Sequence, residues 1–171
     1  MGKELISKIE LDHLIDDLGD ELTAKCHEVG GGIVFVCVMN GGFMFYSDLV
    51  KKIKYPIETS FLKCKSYDGF ERKEITLDYI PSTDFEGKTV FIVDDILDSG
   101  NTMKAVAKFL QVKEPKTITP VAAIYKENLD FDKVLHILKQ DTDSMFDPWY
   151  IGYGMDDEKG HNRNLGTIYT I

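Results

Sequence analysis

Apolar residues at Leu11, Leu14, Ile15, Leu18 and Leu22 recur at the three- and four-residue spacing of a helix face. The spacing predicts an amphipathic helix from about Asp12 to His27, ended by the run Gly30-Gly31-Gly32. The pattern then changes period. Ile33 to Met39 reads IVFVCVM, continuously apolar and rich in β-branched residues, which suits a strand covered on both faces. Asn40-Gly41-Gly42 follows, and then FMFYSDLVKKI, which predicts a helix packed back on the sheet. The same grammar recurs at Thr89–Val93 (TVFIV), with DDILDSGNT as the turn and MKAVAKFL as the helix. In that helix Met103, Val106, Ala107 and Leu110 form one stripe. Thr117–Tyr125 (TITPVAAIY) reads as a further strand, in which Pro120 argues against a central position. Between the two units, SFLKCKSYDGFERKEITLDYI has the alternation of a hairpin, with a mobile tip at Tyr67-Asp68-Gly69.

Two strand–loop–helix units with buried strands predict an α/β protein, an open twisted and mainly parallel sheet flanked by helices. In such sheets ligands bind beyond the carboxyl ends of the strands, where both loops of interest fall. The length of 171 residues and 43% apolar content fit a single domain, residues 1–171. Cys26, Cys37 and Cys64 make no Cys-x-x-Cys pair, so neither a disulfide framework nor a zinc ribbon is expected. The N-terminus lacks a signal-type apolar run and the longest apolar stretch is too short to cross a bilayer. A soluble, cytoplasmic protein without membrane partners is the expectation. The formal charge of −9 disfavours nonspecific nucleic-acid binding. It does not exclude a phosphorylated small molecule, which backbone amides and a cation can hold locally.

Candidate chemistry concentrates in VFIVDDILDSGNT, Val90 to Thr102. Asp94, Asp95 and Asp98 lie close together after a buried strand, and like charges so close cost stability unless a metal, a hydroxyl-rich ligand or hydrogen-bond donors compensate. Ser99, Gly100, Asn101 and Thr102 open a helix, where free N–H groups and hydroxyls make a phosphate cradle. A pentose 5-phosphate fits, with its phosphate on the loop and its hydroxyls reaching Asp94 and Asp95. By contrast, Glu86-Gly87-Lys88-Thr89 is not a nucleoside-triphosphate loop, because Ser82 stands in place of the first glycine and the segment precedes its strand.

Val90 to Thr102 resembles the binding signature for 5-phosphoribosyl 1-diphosphate (PRPP) of type I phosphoribosyltransferases: four apolar positions, two acids, two apolar residues, an acid and Ser-Gly-x-Thr are in register. The rest of the chain resembles the hypoxanthine-guanine branch of that family. VCVMNGGFMFYSDL resembles the diphosphate loop and its helix, CKSYDG the mobile loop, AIYKE the strand with the purine-selecting lysine, and WYIGYGMDDEKGHNRNL the purine-stacking segment. The resemblance implies the family fold, with a small hood built from the chain ends, and a homodimer or homotetramer. It implies that Asp94 and Asp95 hold the ribose hydroxyls directly or through Mg²⁺, that Ser99, Gly100, Asn101 and Thr102 bind the 5-phosphate, and that Asp98 is the general base near the purine. It implies Asn40, Gly41 and Arg163 at the diphosphate, and Lys126, Trp149, Tyr150 and Asp156 at a 6-oxopurine base. Asp156 would also ligate Mg²⁺, with Lys65, Ser66 and Tyr67 closing over the site. Three departures stand out: Asn40 where the family often has lysine, aspartate at Asp94 where some members have glutamate, and a slightly longer stretch between Asp156 and Arg163. A non-catalytic sensor of PRPP or nucleotides is the alternative, and such a protein could dispense with Asp98, Lys126, Trp149 and Arg163. A phospho-accepting receiver domain would want its acid pair near the chain start.

Overall fold

A computed structural model describes residues 2–68, 73–126, 131–140, 148–157 and 159–171. After a short strand β1 (Lys3–Glu4), helix α1 runs Lys8–Val29. It starts earlier than the apolar stripe requires because Ser7 and Glu10 form a reciprocal capping box, and it stops at Gly30, a left-handed cap with φ of 79°. Strand β2 (Ile33–Met39) and helix α2 (Phe43–Lys52) follow, and then the hairpin β3 (Glu58–Asp68) and β4 (Lys73–Tyr79). Strand β5 (Thr89–Leu97), helix α3 (Asn101–Gln111), β6 (Thr117–Lys126) and β7 (Leu135–Gln140) complete the main layer, and β8 (Tyr150–Ile151) and β9 (Tyr169–Thr170) end the chain.

The main sheet has the order β4-β3-β2-β5-β6-β7. All neighbours are parallel except the β3–β4 hairpin. Ile33, Phe35 and Cys37 of β2 and Phe91 and Val93 of β5 face the core shared with α1 and α2, while Val34, Val36, Val38, Val90 and Ile92 face the core with Met103, Val106 and Leu110 of α3. Both faces of the strands are thus covered, which is why they read as unbroken apolar runs. Helices α1 and α2 cross closely at Gly19, where an added Cβ would stand 2.5 Å from the Cβ of Lys52. A second sheet, β1-β9-β8, joins the two chain ends into a small hood. Among the described residues no helix is long and apolar enough to cross a membrane.

Three expectations change. Pro120 lies in an interior strand, registered against Ile92 of β5. Pairing to β7 begins only at Val121, so at Pro120 the strand has one ladder and an open side, a position proline tolerates. The sequence reading stopped at TITPVAAIY and did not identify β7. The third change is that β5 does not end at Val93: its ladder to β2 stops there, but its ladder to β6 continues to Leu97.

Candidate functional site

Because the β2 ladder ends while the β6 ladder continues, Asp94 and Asp95 sit inside a strand with one side freed at the carboxyl edge of the sheet. Each carboxylate folds onto its own strand: Asp94 Oδ1 accepts from the Asp95 N–H at 3.0 Å, and Asp95 Oδ1 from the Ile96 N–H at 2.9 Å. Asp94 is buried. Burial, and then the neighbouring Asp95 charge, push its carboxyl well above the usual carboxylate range. The turn proper is only Asp98–Gly100. Gly100, with φ of 72°, caps α3 with no side chain of its own, Ser99 Oγ accepts from the Asn101 N–H at 3.4 Å, and the N-terminal residues of the helix line the cleft.

Opposite these residues is the loop after β2. Gly42 N–H donates to Val38 O at 3.1 Å and the Met39–Asn40 peptide is cis. Gly41 packs so tightly on Asp95 that a Cβ there would lie 2.0 Å from Asp95 Oδ2. The hood supplies the third wall. Arg163 donates to Gly154 O at 2.6 Å and to Asp156 Oδ2 at 2.5 Å. Asp157 holds the intervening turn by accepting from the Lys159 and His161 N–H groups, both at 2.9 Å, and from Asn162 Nδ2 at 2.8 Å. The extra length between Asp156 and Arg163 is therefore taken up in a turn without separating the two side chains.

These walls enclose two adjoining clefts. The larger, of about 350 Å³, is lined by Gly41, Cys64, Asp94, Asp95, Asp98 to Thr102, Asp156 and Arg163 among others. The smaller, of about 160 Å³, is lined by Lys126, Pro148, Trp149, Tyr150 and Met155, and shares Asp95, Ile96, Asp98 and Asp156 with the first. The larger is polar and acidic at its sheet edge, the smaller partly aromatic. Lys126 is buried at the end of β6, and its ammonium forms an ion pair with the exposed carboxylate of Asp98. The Trp149 ring is 54% exposed, and its indole N–H donates to the main-chain carbonyl of Asp156 at 3.0 Å. Tyr150 is buried, its hydroxyl donating to Gln140 Oε1 at 2.5 Å.

Thus Asp94, Asp95, Asp98, Ser99, Gly100, Asn101, Thr102, Gly41, Arg163, Lys126, Trp149, Tyr150 and Asp156 are brought to the two clefts. Asn40 is exposed and lines neither. Asp94, Asp95 and Asp156 line one cleft but do not form a cluster of metal ligands, since among the described residues no three His, Cys, Asp or Glu side chains group to hold a cation. Lys65, Ser66 and Tyr67 have their backbone in β3, registered against Thr76, Ile75 and Glu74. Their side chains and the hairpin tip from Gly69 lie outside the described residues. The sequence reading missed Ile96, Met155 and Gly154. The first two carry only the ordinary signal of apolar residues, whereas Gly154 sits in a Gly-x-Gly whose glycines both have positive φ, 87° and 100°. The thiols serve no visible chemistry: burial pushes Cys26 and Cys64 up to about 11 and Cys37 up to about 12.

Residues 7–158 match the family model described as phosphoribosyl transferase domain. A hypoxanthine phosphoribosyltransferase of Salmonella typhimurium is 30% identical over 155 residues, covering 89% of this chain and 85% of that protein. A hypoxanthine-guanine-xanthine phosphoribosyltransferase of Tritrichomonas foetus is 29% identical, covering 98% and 90%. The crystal structure of a hypoxanthine phosphoribosyltransferase from Staphylococcus aureus superposes with a TM-score of 0.88 at 28% identity, over 99% of this chain and 90% of that one.

Proposed function

Since the chain belongs to the phosphoribosyltransferase family, we propose that it transfers the 5-phosphoribosyl group of PRPP to a 6-oxopurine, giving a purine nucleoside 5-monophosphate and diphosphate. The observation that carries this reading is the pair of clefts meeting at Asp95, Ile96, Asp98 and Asp156. One offers a phosphate cradle and acids for ribose hydroxyls, the other an aromatic ring and a lysine for a base, and the reacting carbon and nitrogen would meet where they join.

The 5-phosphate fits the start of α3, where Ser99 to Thr102 supply N–H and hydroxyl donors. The ribose hydroxyls donate to Asp94 and Asp95, which compensates the Asp94 carboxylate that burial and the neighbouring Asp95 charge otherwise disfavour. Arg163, held on Gly154 O and Asp156, presents a planar fork to the diphosphate beside the Gly41 backbone. The donor set fits Mg²⁺, a hard cation that takes oxygen ligands and is commonly held by one or two carboxylates together with substrate phosphates rather than in an all-protein cage. Asp156, at the junction of the clefts, and the Asp94–Asp95 pair would hold it. Mg²⁺ bound there supplies charge neutralisation of the diphosphate as it departs.

As the bond from C1 to diphosphate breaks, positive charge develops on the sugar, and the nearby carboxylates stabilise it electrostatically. Lys126 donates to the 6-oxo group of the base, which draws it from its pair with Asp98 and leaves that carboxylate free to take the proton the purine sheds. A 6-amino group offers Lys126 no acceptor, so adenine is rejected. Trp149, pinned through its indole N–H, offers its exposed ring for stacking. Closure of the hairpin carrying Lys65, Ser66 and Tyr67 would exclude water from the positively charged sugar carbon. Assembly as a homodimer or homotetramer is part of the same reading and is checked by light scattering.

Diphosphate release from PRPP is measured with hypoxanthine, guanine, xanthine and adenine separately, each with an EDTA control. Metal-dependent turnover with a 6-oxopurine and little with adenine is the expected result. PRPP binding without turnover on any base would overturn the transferase reading.

A further inference from the structure

The roles proposed above leave unused a buried hydroxyl hydrogen-bonded to the helix that follows the diphosphate loop. Gly152, Tyr153 and Gly154 all have positive φ, 87°, 50° and 100°. For tyrosine this conformation is sparsely populated and persists only where the surroundings over-determine it. The curl sends the Tyr153 side chain out of the hood and into the main domain, where it is 2% exposed. Its hydroxyl donates to Asp48 Oδ2 of α2 at 2.7 Å, and Lys51 holds the other oxygen of that carboxylate at 2.7 Å. From α1, the Lys8 ammonium lies 5.8 Å from the centre of the ring.

What the curl positions is visible one residue on. The backbone at Gly154 is packed against the diphosphate loop so closely that a Cβ would stand 2.0 Å from Gly41 O. The Gly154 N–H donates to Arg163 O at 3.0 Å, and its carbonyl accepts from the Arg163 guanidinium at 2.6 Å. One residue therefore touches both groups that would meet the diphosphate, and the neighbouring tyrosine fixes it to α2, the helix that starts at Phe43 as the loop ends. A phenylalanine would fill the same space. The hydroxyl adds direction, because a hydrogen bond to a carboxylate sets the rotation of the turn as apolar packing does not. Burial and the adjacent Asp48 charge keep the phenol protonated, so it stays a donor.

We propose that Tyr153 is a positioning residue whose hydrogen bond to Asp48 seats the 152–156 turn on the diphosphate loop, so that Gly41 and Arg163 stand correctly for the leaving group. The inference rests on the reading of the larger cleft as the PRPP site.

The test compares the wild type with Tyr153→Phe, Asp48→Ala, Asp48→Asn and the Tyr153→Phe/Asp48→Ala double variant. Calorimetric affinity for inorganic diphosphate with Mg²⁺, KM for PRPP and for hypoxanthine, and amide exchange of residues 41–45 are read for each. Tyr153→Phe and Asp48→Ala are each expected to weaken diphosphate binding and raise KM for PRPP about tenfold, the worth of one hydrogen bond to a charged group. The double variant should be no worse than either single change, Asp48→Asn should recover most of the loss because its amide oxygen still accepts, and KM for hypoxanthine should stay near that of the wild type. A lower melting temperature with diphosphate affinity and 41–45 exchange unchanged would overturn the proposal, as would additive losses in the double variant. If the wild type itself neither binds diphosphate nor turns over PRPP, the functional reading fails. Exchange at 41–45, which needs no ligand, then still decides whether Tyr153 holds the loop.

Discussion

Gly41→Ala tests how closely the loop after β2, the proposed diphosphate loop, and the acidic strand are fitted to one another. The added methyl carbon would lie 2.0 Å from Asp95 Oδ2, 2.5 Å from its Cγ and 2.8 Å from Oδ1. To restore even a 3.0 Å contact the carboxylate must retreat by about 1 Å, since Gly41 itself is held by Gly154 behind it. Asp95 has a short side chain, so that retreat is a rotation away from its rotamer, costing about 0.5–1.5 kcal/mol. It also gives up the hydrogen bond from the Ile96 N–H, a further loss of about 1 kcal/mol. A total of about 1–3 kcal/mol corresponds to a fall of about 3–10 °C in melting temperature for a domain of this size. The catalytic penalty is larger, because a displacement of about 1 Å at a positioning carboxylate costs about 10²-fold. The assay is kcat/KM for PRPP at saturating hypoxanthine, with a thermal melt on the same preparations. A melting temperature lowered as stated but an undiminished kcat/KM would refute the placement of Asp95 against the substrate, and an unchanged melting temperature would refute the packing argument itself.

Lys126→Ala removes the proposed donor to the 6-oxo group and is expected to lower kcat/KM for hypoxanthine by about 10–100-fold, the worth of a charged hydrogen bond, without a matching loss for adenine; unchanged discrimination would place selection elsewhere. Asp98→Asn should lower kcat by about 10²–10⁴-fold while calorimetric PRPP affinity holds, and a near-normal turnover would remove Asp98 as the base. Acid stability follows from Glu10 and Asp16: the Ser7 hydroxyl and backbone hold the first below its ordinary value, and the Lys52 hydrogen bond chiefly holds the second. The native state then binds fewer protons than the unfolded chain, so this stabilisation is present above the ordinary carboxylate range and is lost as the pH falls through the folded values. Urea melts from neutral to acid pH should show Ser7→Ala losing less stability on acidification than the wild type, and parallel curves would contradict the capping-box assignment.

Periodicity alone fixes the parallel core, and residue chemistry alone nominates the candidate site. IVFVCVM and TVFIV are unbroken apolar runs because both faces of their strands are covered, and that periodicity needs no tertiary knowledge to read. VFIVDDILDSGNT marks a candidate site because acids packed together at one strand end are costly without a ligand. Strand β7 was not identified, and Pro120 argued against a central position because a single sequence does not say where a neighbouring ladder begins. Only the folded chain decided that Asp94 and Asp95 lie within β5, since a strand's end is set separately by the partner on each side. The fold likewise decided that Lys126 pairs with Asp98, that Arg163 reaches Asp156 across a turn ordered by Asp157, and that Tyr153 crosses from the hood to α2. Each of these joins residues far apart in the chain or fixed by a loop. Side-chain periodicity reports which face of an element is buried, and long-range contacts depend on where the elements are finally packed.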